Sequence, residues 1–289
     1  MQKLRVSGSI DIRSLAAKNI ITSEGRDALL TAIAGNTSPG WAYLAVGTGS
    51  STPGSAQTAL DCELYRGPFV GGWVTNPGTA RLVAVFTAGE ANGTWYEFGI
   101  FNEPAKQSVL SACDGTAGWS SDGTLVSETS YVMQGAASLR CQMPAGGSVA
   151  FQGTALVPST PDISSVVWSA SDRLQFWYRS STDIGTVWVR VGNSGSAYYL
   201  FQWVPGSANT WHLFSEKLSN AGTVVGYPLM PFQYFLLYHS PQASPFNEYV
   251  DYISIYGENG EMMTRGVFGT PVTKEWQEVL NAHYTVVIE

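Results

Sequence analysis

The stretch EYVDYISIYGENGEMMTRGVF, residues 248–268, decides how this chain is divided. Two strand-like runs meet across the polar, glycine-bearing GENGE of residues 257–261, which reads at first as an ordinary hairpin. The alternative is that YVDYISIY closes one domain and MMTRGVF resumes another. What lies on either side of the stretch separates these readings.

From Cys113 to Gly257 the chain has a texture of its own. Six of the ten tryptophans fall there: Trp119, Trp168, Trp177, Trp188, Trp203 and Trp211. The runs RLQFWYRSS, TVWVRVGN, AYYLFQWVP, WHLFSEKL, FQYFLLYHS and EYVDYISIYG read as strands joined by Gly, Ser and Asn turns. Many strands at short spacing without a helical period predict a β-sandwich.

Outside that block, TSEGRDALLTAIAGN (residues 22–36) predicts one helix. Thr22 or Ser23 caps it, Ala28, Leu29, Ala32 and Ile33 form its apolar face, and Gly35 with Asn36 stops it. WAYLAVGTG, ARLVAVFTA, TWYEFGIFN, MMTRGVFGT and HYTVVIE read as strands, and KEWQEVLNAH as a short helix or an edge segment. In KLRVSGSIDI (residues 3–12), Leu4, Val6, Ile10 and Ile12 alternate, giving an arm that either docks on a neighbouring subunit or pairs internally.

A length of 289 residues suits two domains. Hydrophobic residues make up 44% and aromatics 12%, ample for packed cores, while charged residues are only 13%, about half the usual share of roughly 25%. With 31 glycines, this mix suits β architecture whose polar faces carry hydroxyls instead of charges. The net charge of −7 and the lack of a basic run argue against nucleic acid as a partner. The N-terminal MQKLRVSGSIDIRSLAAKN lacks a signal peptide's apolar core, and no segment approaches the ~18 apolar residues of a membrane span. The expectation is a protein not inserted in a membrane, used in a cytoplasm or released by a route other than secretion. Three cysteines, Cys62, Cys113 and Cys141, without a CxxC spacing, predict buried free thiols.

The flanks resemble a family of small phage tail-associated virion proteins. The carriers are the AVGTG strand (Ala45–Gly49), the T-x-L-x-x-E-x-x-R element (Thr58–Arg66), EFGIFN (Glu97–Asn102) and R-x-x-F-x-x-P-V-T-K (Arg265–Lys274), in that order. The family joins the last two by a short hairpin, whereas here about 160 residues separate Asn102 from Arg265. The intervening block is similar to carbohydrate-binding-module jelly rolls, which show an acidic residue before a GW strand, a G-x-x-S-L strand, a W-(H/Q)-x-(F/V)-S strand and a terminal D-(Y/D)-I-x-(I/L)-Y. Here these are Asp114 with GW at 118–119, GAASL at 135–139, WHLFS at 211–215 and DYISIY at 251–256.

Together the resemblances imply a mainly β chain, with a small α+β or β-sandwich host domain and an inserted jelly-roll β-sandwich. The host domain spans 1–112 and 259–289, with an arm at 1–21, and the carbohydrate-binding-like domain spans 113–258. They imply a non-catalytic structural component of a bacteriophage virion (tail, baseplate or neck), made in the bacterial cytoplasm. It would associate with other virion proteins as a threefold or sixfold homo-oligomer and present its module to cell-surface glycans. The alternative is a soluble carbohydrate-binding protein or a glycosidase accessory module. The jelly-roll resemblance also implies a structural calcium ion held by Asp114 and Asp251, with carbonyls near Gly135 or Ser138 unassigned. Otherwise both acids are surface or capping residues.

Alternation adds a candidate sugar platform. Val187, Val189 and Val191 belong on a buried face, placing Trp188 and Arg190 on the other, and Gln175, Trp177 and Arg179 share an outward side of their own strand. Exposed tryptophans beside arginines suit a glycan, because sugar C–H faces stack on aromatic rings. Otherwise these tryptophans cover the host domain or a neighbouring subunit. Trp211 is expected in the core. Catalytic residues are not expected: His212, His239 and His283 lack metal-ligand spacing, and no nucleophile elbow, zinc helix or phosphate loop occurs. A carboxylate pair drawn from Glu97, Glu128, Glu216 and Glu248 stays open. Asn36 and Asn92 match the glycosylation sequon.

Overall fold

The computed structural model describes residues 2–5, 13–14, 17–25, 27, 40, 42–76, 79–158, 168–257, 260 and 262–287, and the side chains of 2–21, 73–81, 283 and 285–287 are outside that description. It separates two compact units, 1–105 with 258–289, and 106–257. The strand Lys106–Ser111, which the sequence leaves with the flanks, pairs with Phe246–Gly257 inside the second unit. Residues 258, 259 and 261 of GENGE fall outside the described residues.

The flanking unit is a nine-stranded sheet. Its order is Arg13–Ser14, Gln2–Arg5, Leu280–Val287, Thr79–Phe86, Glu63–Asn76, Tyr43–Gly47, Gly93–Phe101, Met262–Lys274 and Ala17–Ile21, every pair antiparallel. Glu63–Asn76 serves two neighbours in turn. Residues 63–68 pair with Tyr43–Gly47 and residues 69–76 with Thr79–Phe86. The N-terminal arm pairs internally, through Gln2–Arg5 on Leu280–Val287 and Ala17–Ile21 on Met262–Lys274. Of the expected helix, residues 23–25 and 27 are helical, Thr22 caps them by accepting the Gly25 amide at 3.1 Å, and residues 26 and 28–36 are outside the described residues. KEWQEVLNAH is a turn at 276–277 followed by the strand Leu280–Val287, so neither helix nor edge segment applies.

The inserted unit is a two-sheet sandwich of the jelly-roll class. The first sheet runs Thr124–Glu128, Ser138–Met143, Phe246–Gly257, Arg173–Ser180, His212–Lys217. The second runs Thr223–Val225, Ala197–Trp203, Val187–Ser194, Tyr234–His239, Val149–Gly153, Trp119–Ser120. One continuous core fills the space between them, with Leu139, Cys141, Leu174, Phe176, Phe214, Val250 and Ile253 from the first sheet and Phe151, Val187, Val189, Val191, Phe201, Phe235 and Leu237 from the second. Phe176 stacks on Phe214 at 4.8 Å and meets Phe235 of the other sheet edge-on at 5.4 Å. Such aromatic pairs add about 0.5–1.5 kcal/mol each beyond area burial.

Phe246–Gly257 changes partner midway. Its first half pairs with Ser138–Met143 and its second with Lys106–Ser111. At the changeover Tyr252 has φ +50°, a left-handed conformation uncommon for a bulky residue. Beside it, Asp251 accepts amides from another segment of backbone, those of Met133 and Gln134.

Candidate functional site

The outer face of the second sheet is built by alternation. Val187, Val189 and Val191 are fully buried in the core, so Trp188 and Arg190 point the other way, as the sequence predicts. Register across three strands gives three rows: Gln202–Trp188–Tyr238, Leu200–Arg190–Leu236 and Tyr198–Gly192–Tyr234. The Trp188 and Tyr238 rings stack at 5.6 Å with an 18° interplanar angle. The Arg190 guanidinium lies 4.6 Å from the Tyr198 ring centroid and 5.1 Å from that of Tyr238, and its Nη2 donates to the Tyr238 hydroxyl at 3.4 Å. Gly192 lets the neighbouring strand approach closely, because a Cβ there would overlap the Ala197 carbonyl and come within 2.6 Å of the Tyr198 Cα. The result is an aromatic platform around one cation.

Gln175, Trp177 and Arg179 do not join it. They face outward from the first sheet, since Leu174, Phe176 and Tyr178 of the same strand point into the core. Nor are they the exposed side chains the platform reading requires, for Trp177 is 6% exposed and Arg179 9%. Arg179 is covered by the segment carrying Tyr131, whose ring stacks on the guanidinium at 3.8 Å, with Tyr249 at 5.2 Å. Gln175 Nε2 donates to Ser215 Oγ at 3.1 Å. Trp177 Nε1 and Arg179 Nη1 are buried without a hydrogen-bond partner. Trp211 also departs from expectation. It lies half-buried against Tyr249 at 6.3 Å, outside the core.

Asp114 and Asp251 both anchor that covering segment. Asp251 Oδ2 accepts the amides of Met133 (2.7 Å) and Gln134 (3.0 Å), and Asp114 Oδ1 accepts those of Ala136 and Ala137, both at 2.8 Å. Between them Gly135, at φ +74°, admits no side chain, because a Cβ would sit 2.9 Å from Asp114 Oδ1. Burial, and then repulsion from Asp114, push the Asp251 carboxyl well above its ordinary range. Its Oδ1 is buried and has no hydrogen-bond partner. An orphaned carboxylate oxygen beside a second carboxylate fits a hard cation, although no group of three acidic, His or Cys ligands occurs among the described residues.

Two polar knots escape sequence reading. In the inserted unit, Glu248 Oε1 accepts the Tyr178 hydroxyl at 2.5 Å and Oε2 meets His239 Nε2 at 3.1 Å, while His239 Nδ1 lies 2.7 Å from the Ser240 carbonyl. A carbonyl only accepts, so Nδ1 donates to Ser240, and when Nε2 is protonated as well His239 is an imidazolium facing Glu248. Burial opposes that charge, but the bond to Glu248 and its charge outweigh burial and raise His239 above its usual 6.5. Burial and Glu248 likewise raise Tyr178. The pair links the two sheets.

In the flanking unit, the four motifs of the sequence converge. Arg265, wholly buried, donates to Glu97 Oε2 through Nε (3.0 Å) and Nη2 (2.7 Å), to Asp61 Oδ2 (2.7 Å) and to Gln57 Oε1 (2.8 Å). Glu97 Oε1 also accepts the amides of Gly49 (3.0 Å) and Cys62 (2.9 Å). The AVGTG glycines are required here, for a Cβ on Gly47 would lie 2.6 Å from Glu97 Oε1 and one on Gly49 would overlap the same oxygen. Glu63 pairs with Arg66 at 2.7 Å, and Lys274 Nζ donates to Asn92 Oδ1 at 2.6 Å.

These contacts also occupy the four candidate glutamates. Glu97 and Glu248 are buried in their knots, Glu128 pairs with Arg140 at 3.1 Å, and Glu216 accepts from Asn220 at 2.9 Å. The Asn92 sequon is 1% exposed. Cys113 and Cys141 are buried free thiols, with burial lifting Cys141 to about 11, while Cys62 is half-buried.

No protein-family model and no curated protein matches the chain. Among solved structures, a family 11 carbohydrate-binding module from Clostridium thermocellum, in complex with a mixed-linked tetrasaccharide, is similar at 14% identity and TM-score 0.36, covering 55% of this chain and all of that one. A CBM4 structure is similar at 16% identity and TM-score 0.32, over 51% of this chain and 100% of that one. A CBM29-2 mutant complexed with mannohexaose is similar at 14% identity and TM-score 0.32, over 53% and 93%.

Proposed function

We propose that the inserted unit is a non-catalytic carbohydrate-binding module whose ligand lies across the outer face of the second sheet. The observation that carries this reading is the Trp188–Tyr238 stack with Arg190 held beside it on a rigid strand. Flat aromatic faces next to a fixed donor are what a sugar ring needs, and a sheet holds them without ordering cost on binding. Affinity electrophoresis of the whole protein in gels cast with polysaccharides tests it. Retardation by at least one polysaccharide that is lost in Trp188→Ala supports the reading, and wild-type mobility in every gel overturns it.

For the flanking unit we propose the role its motif order implies, that of an assembly part of a bacteriophage tail, baseplate or neck displaying the module to host-surface glycans. The favouring observation is that all four motifs meet in one buried knot, which gives their order a structural reason. Native mass spectrometry reads the assembly: a threefold or sixfold oligomer agrees, whereas a monomer at micromolar concentration leaves a soluble carbohydrate-binding protein. We further propose that Asp114 and Asp251 hold a structural calcium ion. It would neutralise the orphaned Asp251 oxygen and fix the segment that covers Arg179.

A further inference from the structure

We propose that the platform selects acidic glycans, with Arg190 receiving the carboxylate of a uronic acid residue. This rests on the carbohydrate-binding reading and adds the ligand's charge. The inference starts from the distribution of charge. The protein is acidic, with 22 Asp and Glu against 15 Lys and Arg. Yet the six strands of the second sheet contain one charged residue on their outer face, Arg190, and no carboxylate at all; His239, the other ionisable cation of these strands, points inward to Glu248.

Elsewhere three arginines meet acids, and buried Arg179 is closed over by the Tyr131 and Tyr249 rings. Arg265 has Glu97 and Asp61, Arg66 has Glu63, and Arg140 has Glu128. Arg190 has none among the described residues. Its surroundings are the phenols of Tyr198, Tyr234 and Tyr238, and its Nε is buried without a hydrogen-bond partner. The Tyr238 bond and ring contacts hold the planar guanidinium in place, so its fork of donors is oriented before any ligand arrives. A carboxylate matches that fork bidentately, a neutral hydroxyl does not. Trp188 is two residues along the same face, about 6–7 Å away, which sets the stacked ring and the ionised group at sugar-sized separation.

The central comparison is between polygalacturonate and its methyl ester, which share one backbone and differ in charge. The whole protein is titrated with polygalacturonate, alginate and hyaluronan, with fully methyl-esterified polygalacturonate, and with neutral glucan and mannan. The expected result is binding to at least one uronate polymer that weakens with added salt, is lost on esterification, and falls about 10- to 100-fold in Arg190→Gln. Arg190→Lys, which keeps the charge without the fork, should fall between the two. Because esterification changes the ligand and leaves the protein untouched, a misfolded variant cannot mimic the result. Equal binding to the esterified or neutral polymers overturns the acidic preference while leaving carbohydrate binding in place. Failure to bind any of the three uronates also overturns it, and failure with all six polymers removes the underlying reading as well.

Discussion

Replacing Glu248 by Gln should unhinge the inserted sandwich more than its single-atom change suggests. Glu248 and His239 are both fully buried, and their side chains join one sheet to the other. Glutamine keeps the shape but removes the counter-ion and turns one acceptor into a donor facing a donor. Losing one partner of a buried pair costs about 3–5 kcal/mol, because the other charge is left uncompensated. For a unit the size of residues 106–257, each kcal/mol moves the midpoint by about 2–4 °C, so the loss should be about 6–20 °C. The pH dependence carries the sharper signature. His239 holds its proton more tightly folded than unfolded, so its contribution is fully present below 6.5 and drains away as pH rises through the folded value. Wild type should therefore lose stability as pH rises above 6.5 through the folded value, and Glu248→Gln should not show that decline. Near-UV circular dichroism melts across that range read both effects. A variant that melts within about 2 °C of wild type with the same pH slope would refute the ion pair.

Arg265→Lys should destabilise the flanking unit by about 3–5 kcal/mol in denaturant titration, since an ammonium cannot reach Glu97, Asp61 and Gln57 together; a loss under about 1 kcal/mol would show that the knot is dispensable. Calcium should raise the melting midpoint of wild type and leave Asp251→Asn unmoved. In a chelator, the raised carboxyl of Asp251 makes wild type lose stability as pH climbs from 3.8, because the folded state keeps that proton longer, and Asp251→Asn should flatten the slope. An equal calcium response in both proteins would assign the ion elsewhere.

The layers of the fold were legible because both signals are local. Period-two alternation placed Val187, Val189 and Val191 inward and Trp188 and Arg190 outward, and the structure has them so. The same rule gives the direction of Trp177 and Arg179 correctly but not their burial, for what covers Arg179 is a segment some fifty residues earlier, pinned by Asp251. Alternation reports which side a residue faces and is silent on what packs there. It also cannot say which outward faces share a sheet, so it merges two strands adjacent in sequence, Arg173–Ser180 and Val187–Ser194, into one platform although they belong to different sheets. The buried knots were invisible for a related reason. His239 and Glu248 lie on separate strands of opposing sheets, and Glu97 and Arg265 are 168 positions apart. Nothing in composition or spacing distinguishes such charges from solvated ones; only the glycines at 47 and 49 hinted that something approaches that backbone closely.

The account turns on whether the face bearing Trp188 binds sugar. Isothermal titration of the whole protein with an oligosaccharide cut from whichever polysaccharide retains it most addresses this directly. The predicted result is saturable binding at one site per chain, abolished in Trp188→Ala and unchanged in Trp177→Phe, whose ring lies buried on the opposite sheet. Saturable binding that survives Trp188→Ala and disappears in Trp177→Phe would place the site on the other face and contradict the account.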